Sequence, residues 1–271
     1  MATTPAMKVL ITGAASGIGA AIAARFAADA ARQAQAAQLL LVDRDDDGLR
    51  RVATGLRSAG SEVATIAGDL AHSDTPARAV AAMQERFGGL DVLVSNAGIS
   101  VKGPLLDCSL ELFDQTVAVN LRATFLLGKV AHSLLAASKG CIIATASIGG
   151  THPTPMSGPY SATKAGLILL IRQMALEWGP DGIRANTVSP GAVPTNLSPQ
   201  RYATEELREY ARSSNPLHTI VSPEQIADAV AFLAGNTAMT GADLVIDAGR
   251  TMTTMNASAR FAVAGNAPPP A

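Results

Sequence analysis

Residues 8–19 read KVLITGAASGIG, an apolar run that passes through spaced glycines into a helix-forming stretch. That order of strand, glycine turn and helix limits the possible folds more than any other feature of the chain. Glycines let the backbone turn sharply and let a bound group come close to it. The helix start then offers unpaired N–H groups and a partial positive charge, a combination that holds a pyrophosphate well. A plain tight turn would use the same glycines, so the remaining sequence must decide.

Short apolar runs recur along the chain, separated by helical stretches. They are LLLVD ending at Asp43, Glu62–Ala67, Asp91–Ser95, CIIATAS ending at Ser147, Ile183–Val188 and Leu244–Ile246. This alternation predicts an α/β, Rossmann-like, doubly wound fold, with a mostly parallel seven-stranded sheet and helices on both faces. A helix is expected from the glycine turn to about Ala31, and another to Phe87, capped by Ser73 or Asp74. A long one is expected over Ser109–Ser138. At 271 residues the chain suits one domain, 1–252, followed by an Ala/Pro-rich tail, 253–271, expected to be flexible. The polar segment 196–220 reads as a lid.

The chemistry concentrates between Ser147 and Lys164. Tyr160 and Lys164 are four residues apart, and if a helix begins near Ser157 they share one face, a turn apart. Ser147 closes an apolar strand, and the Gly/Pro loop between can fold its hydroxyl back toward the phenol. A tyrosine ionises near pH 10, but a cation about 5 Å away is worth roughly 3 kcal/mol at a dielectric of about 20, or about two pKa units. That brings the phenol toward the range of a general acid–base catalyst, with Ser147 holding the substrate oxygen. Ile148, Met156, Ser157 and Ala192 are the expected remaining pocket wall. An ordinary surface pair on a helix is the plainer reading of Tyr160 and Lys164.

Asp43 ends the second apolar run, where a carboxylate can accept both ribose hydroxyls of an adenosine. It would repel a 2′-phosphate by roughly 3 kcal/mol or more per charge at ~5 Å. NAD is therefore expected over NADP, although Arg44 beside it could offset part of the repulsion. Small residues in Asn96-Ala97-Gly98 would let a ribose approach the backbone. Asn120, in VAVNL, needs a partner inside so apolar a stretch: either a local backbone bond that bends the helix or a functional role.

Other function classes find little support. A net charge of −1 leaves no footprint for nucleic acid or an anionic membrane. No run is long and apolar enough for a span, and no signal peptide is apparent, so a cytoplasmic location is expected. His72, His132, His152 and His218 are scattered, so no metal set is expected; His152 reads as a loop residue rather than a substrate contact. Cys141 reads as a core residue and Cys108 forms no framework with it.

Together, TGAASGIG at 12–19, Asn96-Ala97-Gly98, Ser147, and Tyr160 with Lys164 resemble the short-chain dehydrogenase/reductase family in its single-domain branch. The likeness runs from about Lys8 to Met252. It implies hydride exchange between NAD(H) and a secondary alcohol or ketone, with Ser147, Tyr160 and Lys164 catalytic and Asn120 holding a relay water. For the coenzyme it implies contacts from Gly13, Ser16, Gly17, Ile18, Gly19, Asp43 and Arg44, from Asp69 and Leu70 at the adenine, and from Asn96, Ala97 and Gly98. It further implies Tyr160 and Lys164 at the ribose, and Pro190, Gly191, Val193 and Thr195 at the nicotinamide. A homotetramer is implied as well, and Thr116, Val130 and Leu134 are expected to serve packing. An NADPH-dependent 3-oxoacyl thioester reductase and a non-catalytic dinucleotide sensor are the rival expectations.

Overall fold

The computed structural model describes residues 6–100, 103–197 and 199–253; the expected tail from residue 254 on lies outside them. Among these residues seven strands form one sheet. They are β1 (Lys8–Thr12), β2 (Gln38–Asp43), β3 (Glu62–Ala67), β4 (Val92–Ser95), β5 (Cys141–Thr145), β6 (Arg184–Pro190) and β7 (Asp243–Ile246). Their order is β3-β2-β1-β4-β5-β6-β7, and every neighbouring pair is parallel. The chain winds one way from β1 to β3 and the other way from β4 to β7. A crevice therefore opens at the carboxyl ends of β1 and β4.

The strands are apolar on both faces because helices cover both. Side chains alternate: Val9, Ile11, Leu39 and Leu41 enter one core, with α1 (Gly17–Arg32), α2 (Asp46–Ser58) and α8 (Pro223–Gly235). Leu10, Leu40 and Val42 enter the other, with α3 (Thr75–Phe87), α5 (Ala123–Ser138) and α6 (Tyr160–Trp178). Each fully buried leucine of these strands contributes about 2 kcal/mol. Ser222 and Gln225 start α8 with reciprocal bonds between side chain and backbone, as their spacing suggests.

Several boundaries differ from expectation, each for a local reason. The long helix over 109–138 is interrupted: α4 (Leu110–Val117) passes through a π-turn, Ala118–Arg122, into α5. The insertion accompanies the buried Asn120, whose amide bonds to another segment. β5 stops at Thr145, leaving Ser147 as the extended residue that opens a short 3-10 turn, Ile148–Gly150. Helix α6 begins at Tyr160 itself, not near Ser157. Residues before it are held by a bridge in which Gly103 N–H donates to the Met156 carbonyl at 3.1 Å. Asp74 stands at the cap position of α3, but its side chain makes no capping bond. The segment 196–220, expected as a lid, holds a 3-10 turn, Pro199–Tyr202, and α7 (Glu205–Ser213).

No described helix is long and apolar enough to cross a membrane. No group of His, Cys, Asp or Glu among the described residues could hold a metal ion. Cys141 is buried in β5, and burial pushes its thiol up to about 11. A short helix, α9 (Arg250–Thr253), follows β7.

Candidate active site

The glycine turn leaves β1 at Gly13, whose φ of +67° is a left-handed conformation. Asn96, at the end of β4, staples this turn to the sheet. Its Nδ2 donates to the carbonyls of Thr12 at 3.1 Å and Gly13 at 3.3 Å. The N–H groups of Asn96 and Ala97 donate to Thr12 Oγ1 at 3.0 and 3.1 Å. Asn96 Oδ1 then accepts from Thr145 Oγ1 at 3.0 Å, and the Thr145 carbonyl accepts from Lys164 Nζ at 2.7 Å. One hydrogen-bonded chain thus runs from the glycine turn to Lys164.

A cavity of about 580 Å³ lies over this chain. At one end Gly13, Ser16, Gly17 and Ile18 line it. Ser16 stands at the amino cap of α1 without a capping bond from its side chain, and the first turn carries no acidic residue. The N–H groups of that turn are thus left for an anion. Asp43 and Arg44 line the same end. The Asp43 carboxylate is held by two backbone donors, Ala15 N at 3.0 Å and Asp45 N at 3.1 Å, with acceptor capacity left over. Asp69 and Leu70 line a smaller adjoining hollow that shares Gly13, Asp43, Arg44, Ala97 and Gly98. This donor and acceptor set could hold a dinucleotide: N–H groups for a pyrophosphate and a carboxylate for ribose hydroxyls.

At the other end stand Ser147, Tyr160 and Lys164. Lys164 is 3% exposed, and its ammonium lies 5.7 Å from the centre of the Tyr160 ring. Burial pushes this lysine down to about 8. Ser147 Oγ accepts from Gly149 N at 3.0 Å, leaving its own O–H free to donate. Ser147 Oγ, Ser161 Oγ and Tyr160 Cε1 all crowd the empty face of Gly149, at 3.4, 3.4 and 3.6 Å from where a Cβ would sit.

The phenol does not follow the expected direction. Its pKa is raised, because burial disfavours the phenolate more than the Ser147 hydroxyl and the Arg201 guanidinium favour it. Lys164 does not offset this in the protein alone, since desolvation weakens its own hold on a proton.

The structure gathers most of the expected residues. Asn96, Ala97, Gly98, Pro190, Gly191, Val193 and Thr195 line the cavity, as do Ile148, Ser157 and Ala192. Three expected contacts lie elsewhere. Gly19 is packed away from the cavity; a Cβ there would lie 2.1 Å from the Gly13 carbonyl oxygen, so its smallness serves the turn. Met156 adopts φ +65° in the turn bonded to Gly103, which leaves its side chain 55% exposed and outside the cavity. Asn120 sits behind Gly98 without lining the cavity. Its Oδ1 accepts from Ile99 N at 2.8 Å, and its Nδ2 donates to Ile99 O at 3.0 Å and Thr163 Oγ1 at 3.2 Å.

His152, which reads as a loop residue, lines the cavity too, as do Ser161, Thr145 and Arg250, which no motif marks. Position Tyr160+1 was the available signal for Ser161, whose buried hydroxyl has no hydrogen-bond partner.

A family profile described as enoyl-(acyl carrier protein) reductase matches residues 13–251. The chain is 38% identical over 245 residues to the short-chain dehydrogenase/reductase eriH of Hericium erinaceus, covering 89% of this chain and 96% of the relative. It is 36% identical over 250 residues to glucose 1-dehydrogenase of Gluconobacter oxydans, covering 90% and 92%. It is also similar to the crystal structure of a short-chain dehydrogenase from Burkholderia cenocepacia in complex with NADP. There the TM-score is 0.82 at 33% identity, over 90% of this chain and 98% of that one.

Proposed function

The chain belongs to the short-chain dehydrogenase/reductase family, and from that premise we propose hydride exchange between NAD(H) and a secondary alcohol or ketone, run by Ser147, Tyr160 and Lys164. The coarser activity, an NAD(P)-dependent oxidoreductase acting on alcohol groups, follows from the family. One observation carries the finer reading. The serine, the phenol and the ammonium line the same cavity as the glycine turn and the Asp43 carboxylate.

When bound, the coenzyme supplies the hydride acceptor or donor, and its oxidised ring supplies a positive charge. The protein does the rest. Ser147, its Oγ already accepting from Gly149, donates its O–H to the substrate oxygen and fixes that oxygen beside Tyr160. Tyr160 holds the proton: its raised pKa favours the protonated phenol, the form that delivers a proton to a ketone oxygen. In the oxidative direction the same phenol must first ionise, which a cation nearby promotes. Lys164, anchored on the Thr145 carbonyl, stands beneath the ring and receives or returns a proton near pH 8. Asn120 is a positioning residue. It fixes Ile99 and, through Thr163, the first turn of α6, so a relay water there would contact the backbone rather than the amide.

NAD is the preferred coenzyme in this reading, because Asp43 is held in place by two N–H donors where a 2′-phosphate would meet its charge. NADP use is the second reading. Arg44 favours it, lining both hollows with no carboxylate at ion-pair distance among the described residues. A panel of secondary alcohols and sugars, each supplied with NAD or NADP and followed by absorbance of the reduced coenzyme, tests both. Turnover is expected, with kcat/KM at least about tenfold higher for NAD and that ratio collapsing in Asp43→Ala. Turnover with NADP alone would reverse the coenzyme assignment, and no hydride transfer to any member would contradict the activity.

A further inference from the structure

Two guanidiniums stand at the substrate end of the cavity, and the chemistry above leaves them unused. Arg201 comes from the 3-10 turn after β6, and Arg250 from the start of α9 after β7; both line the cavity. They are far from the adenosine end: β2 and β6 are separated by four strand spacings, about 19 Å at ~4.8 Å each. They come from the segments that follow the neighbouring strands β6 and β7, and they line the same cavity as Ser147, Tyr160 and Lys164. Both act on the buried Tyr202 phenol, and Arg201 acts on the Tyr160 phenol as well.

No carboxylate neutralises either of them among the described residues. Glu205, the nearest acid along the chain from Arg201, is taken by Arg208 and Arg212. Asp247, three residues before Arg250, spends its oxygens on the N–H groups of Gly249 and Thr251, at 2.8 and 2.7 Å. Arg250 Nη1 donates to the Ser214 hydroxyl at 2.6 Å, which orients the guanidinium without cancelling its charge. The acidic residues lining the cavity, Asp43 and Asp45, both belong to the far end. At the Tyr160 end the charged side chains are therefore all cationic, set among apolar and hydroxylic neighbours such as Ile148, Ala192 and Ser157. A neutral alcohol gives two such cations nothing to pair with, whereas an anionic group accepts the parallel N–H bonds a guanidinium offers.

We propose that Arg201 and Arg250 form an anion subsite of the substrate pocket, so that the preferred substrate is a secondary alcohol or ketone carrying a carboxylate, sulfonate or phosphate. The inference rests on the reading of Tyr160 as the group that meets the reacting oxygen, because that places the anion at the lid end of the same molecule.

Titration calorimetry in saturating NAD, with which a ketone forms a complex that cannot react, tests it with four ligands that share an acetonyl group: acetoacetate, 2-oxopropanesulfonate, acetol phosphate and the neutral acetoacetamide. At least one anion is expected to bind about tenfold or more tightly than the amide. The tightest arm identifies the anion type. That preference is expected to vanish in the Arg201→Gln/Arg250→Gln double variant, with NAD affinity unchanged. Should the double variant not fold, the two single substitutions are read in the same way. Equal binding of amide and anions, no binding of any anion, or a preference that survives the substitutions overturns the subsite. So does a parallel loss of NAD affinity, which would assign the guanidiniums to the coenzyme. Binding is read without turnover, so a chain that prefers anions but transfers no hydride would refute the reaction and not the subsite.

Discussion

Lys164 shows what single residues contributed and what they concealed. The four-residue spacing from Tyr160 made the pair visible in sequence, because any helix brings such residues onto one face. The direction of the phenol's pKa was not visible. It depends on desolvation, and desolvation depends on which loops close over the ring. Met156 was misread for a related reason, since a left-handed turn aims its side chain outward. The lysine itself provides a test. With its pKa near 8 in the folded protein and near 10.5 unfolded, the unfolded chain binds the extra proton between those values. Stability contributed at this site therefore rises with pH from about 8 to 10.5. Urea unfolding of the wild type and Lys164→Met at pH 7 and pH 10 should show the wild type gaining on the variant at the higher pH. A gap that does not change would mean the ammonium is not buried as described.

At the scale of elements, the glycine turn and the strands were legible because apolar runs and glycine spacing are local signals. The π-turn within 118–122 was not. An amide inside an apolar helix announces a need for a partner, but the partner is Ile99, in a different loop. Gly19 was read as a contact, and its actual constraint is steric. A methyl group there would lie 2.1 Å from a main-chain oxygen of the same turn, which has no flexible end to move aside. Gly19→Ala should then cost about 1–3 kcal/mol of stability and weaken NADH binding at the same time, because the turn must shift. Thermal unfolding and NADH fluorescence titration measure the two effects. Unchanged binding with unchanged stability would show that the turn has slack.

For the whole molecule, the α/β alternation led directly to the doubly wound sheet, and all of its pairings proved parallel. Quaternary structure is a different matter, since one chain's sequence does not say which faces meet a copy. Among the expected packing residues, Thr116 is buried with its hydroxyl donated to the Leu112 carbonyl, and Leu134 packs against the core of its own chain. Val130 stays exposed, alongside Leu110, Phe113 and Phe125 on α4 and α5 and Leu169 and Leu176 on α6. Exposed apolar side chains on these helices suit packing against another copy of the chain, and we propose a homotetramer. Light scattering after gel filtration should give ~110 kDa, four times the 27.6 kDa chain, and a 27.6 kDa particle would refute it.

All of this turns on the Tyr160 hydroxyl as the group that passes the proton. Tyr160→Phe removes that oxygen and keeps the ring packed against Lys164 and Gly149. Steady-state hydride transfer by this variant, measured beside its NADH dissociation constant, is the most direct test. Turnover should fall by at least about a hundredfold while NADH affinity stays within about threefold of the wild type. A variant that turns over at the wild-type rate would contradict the account.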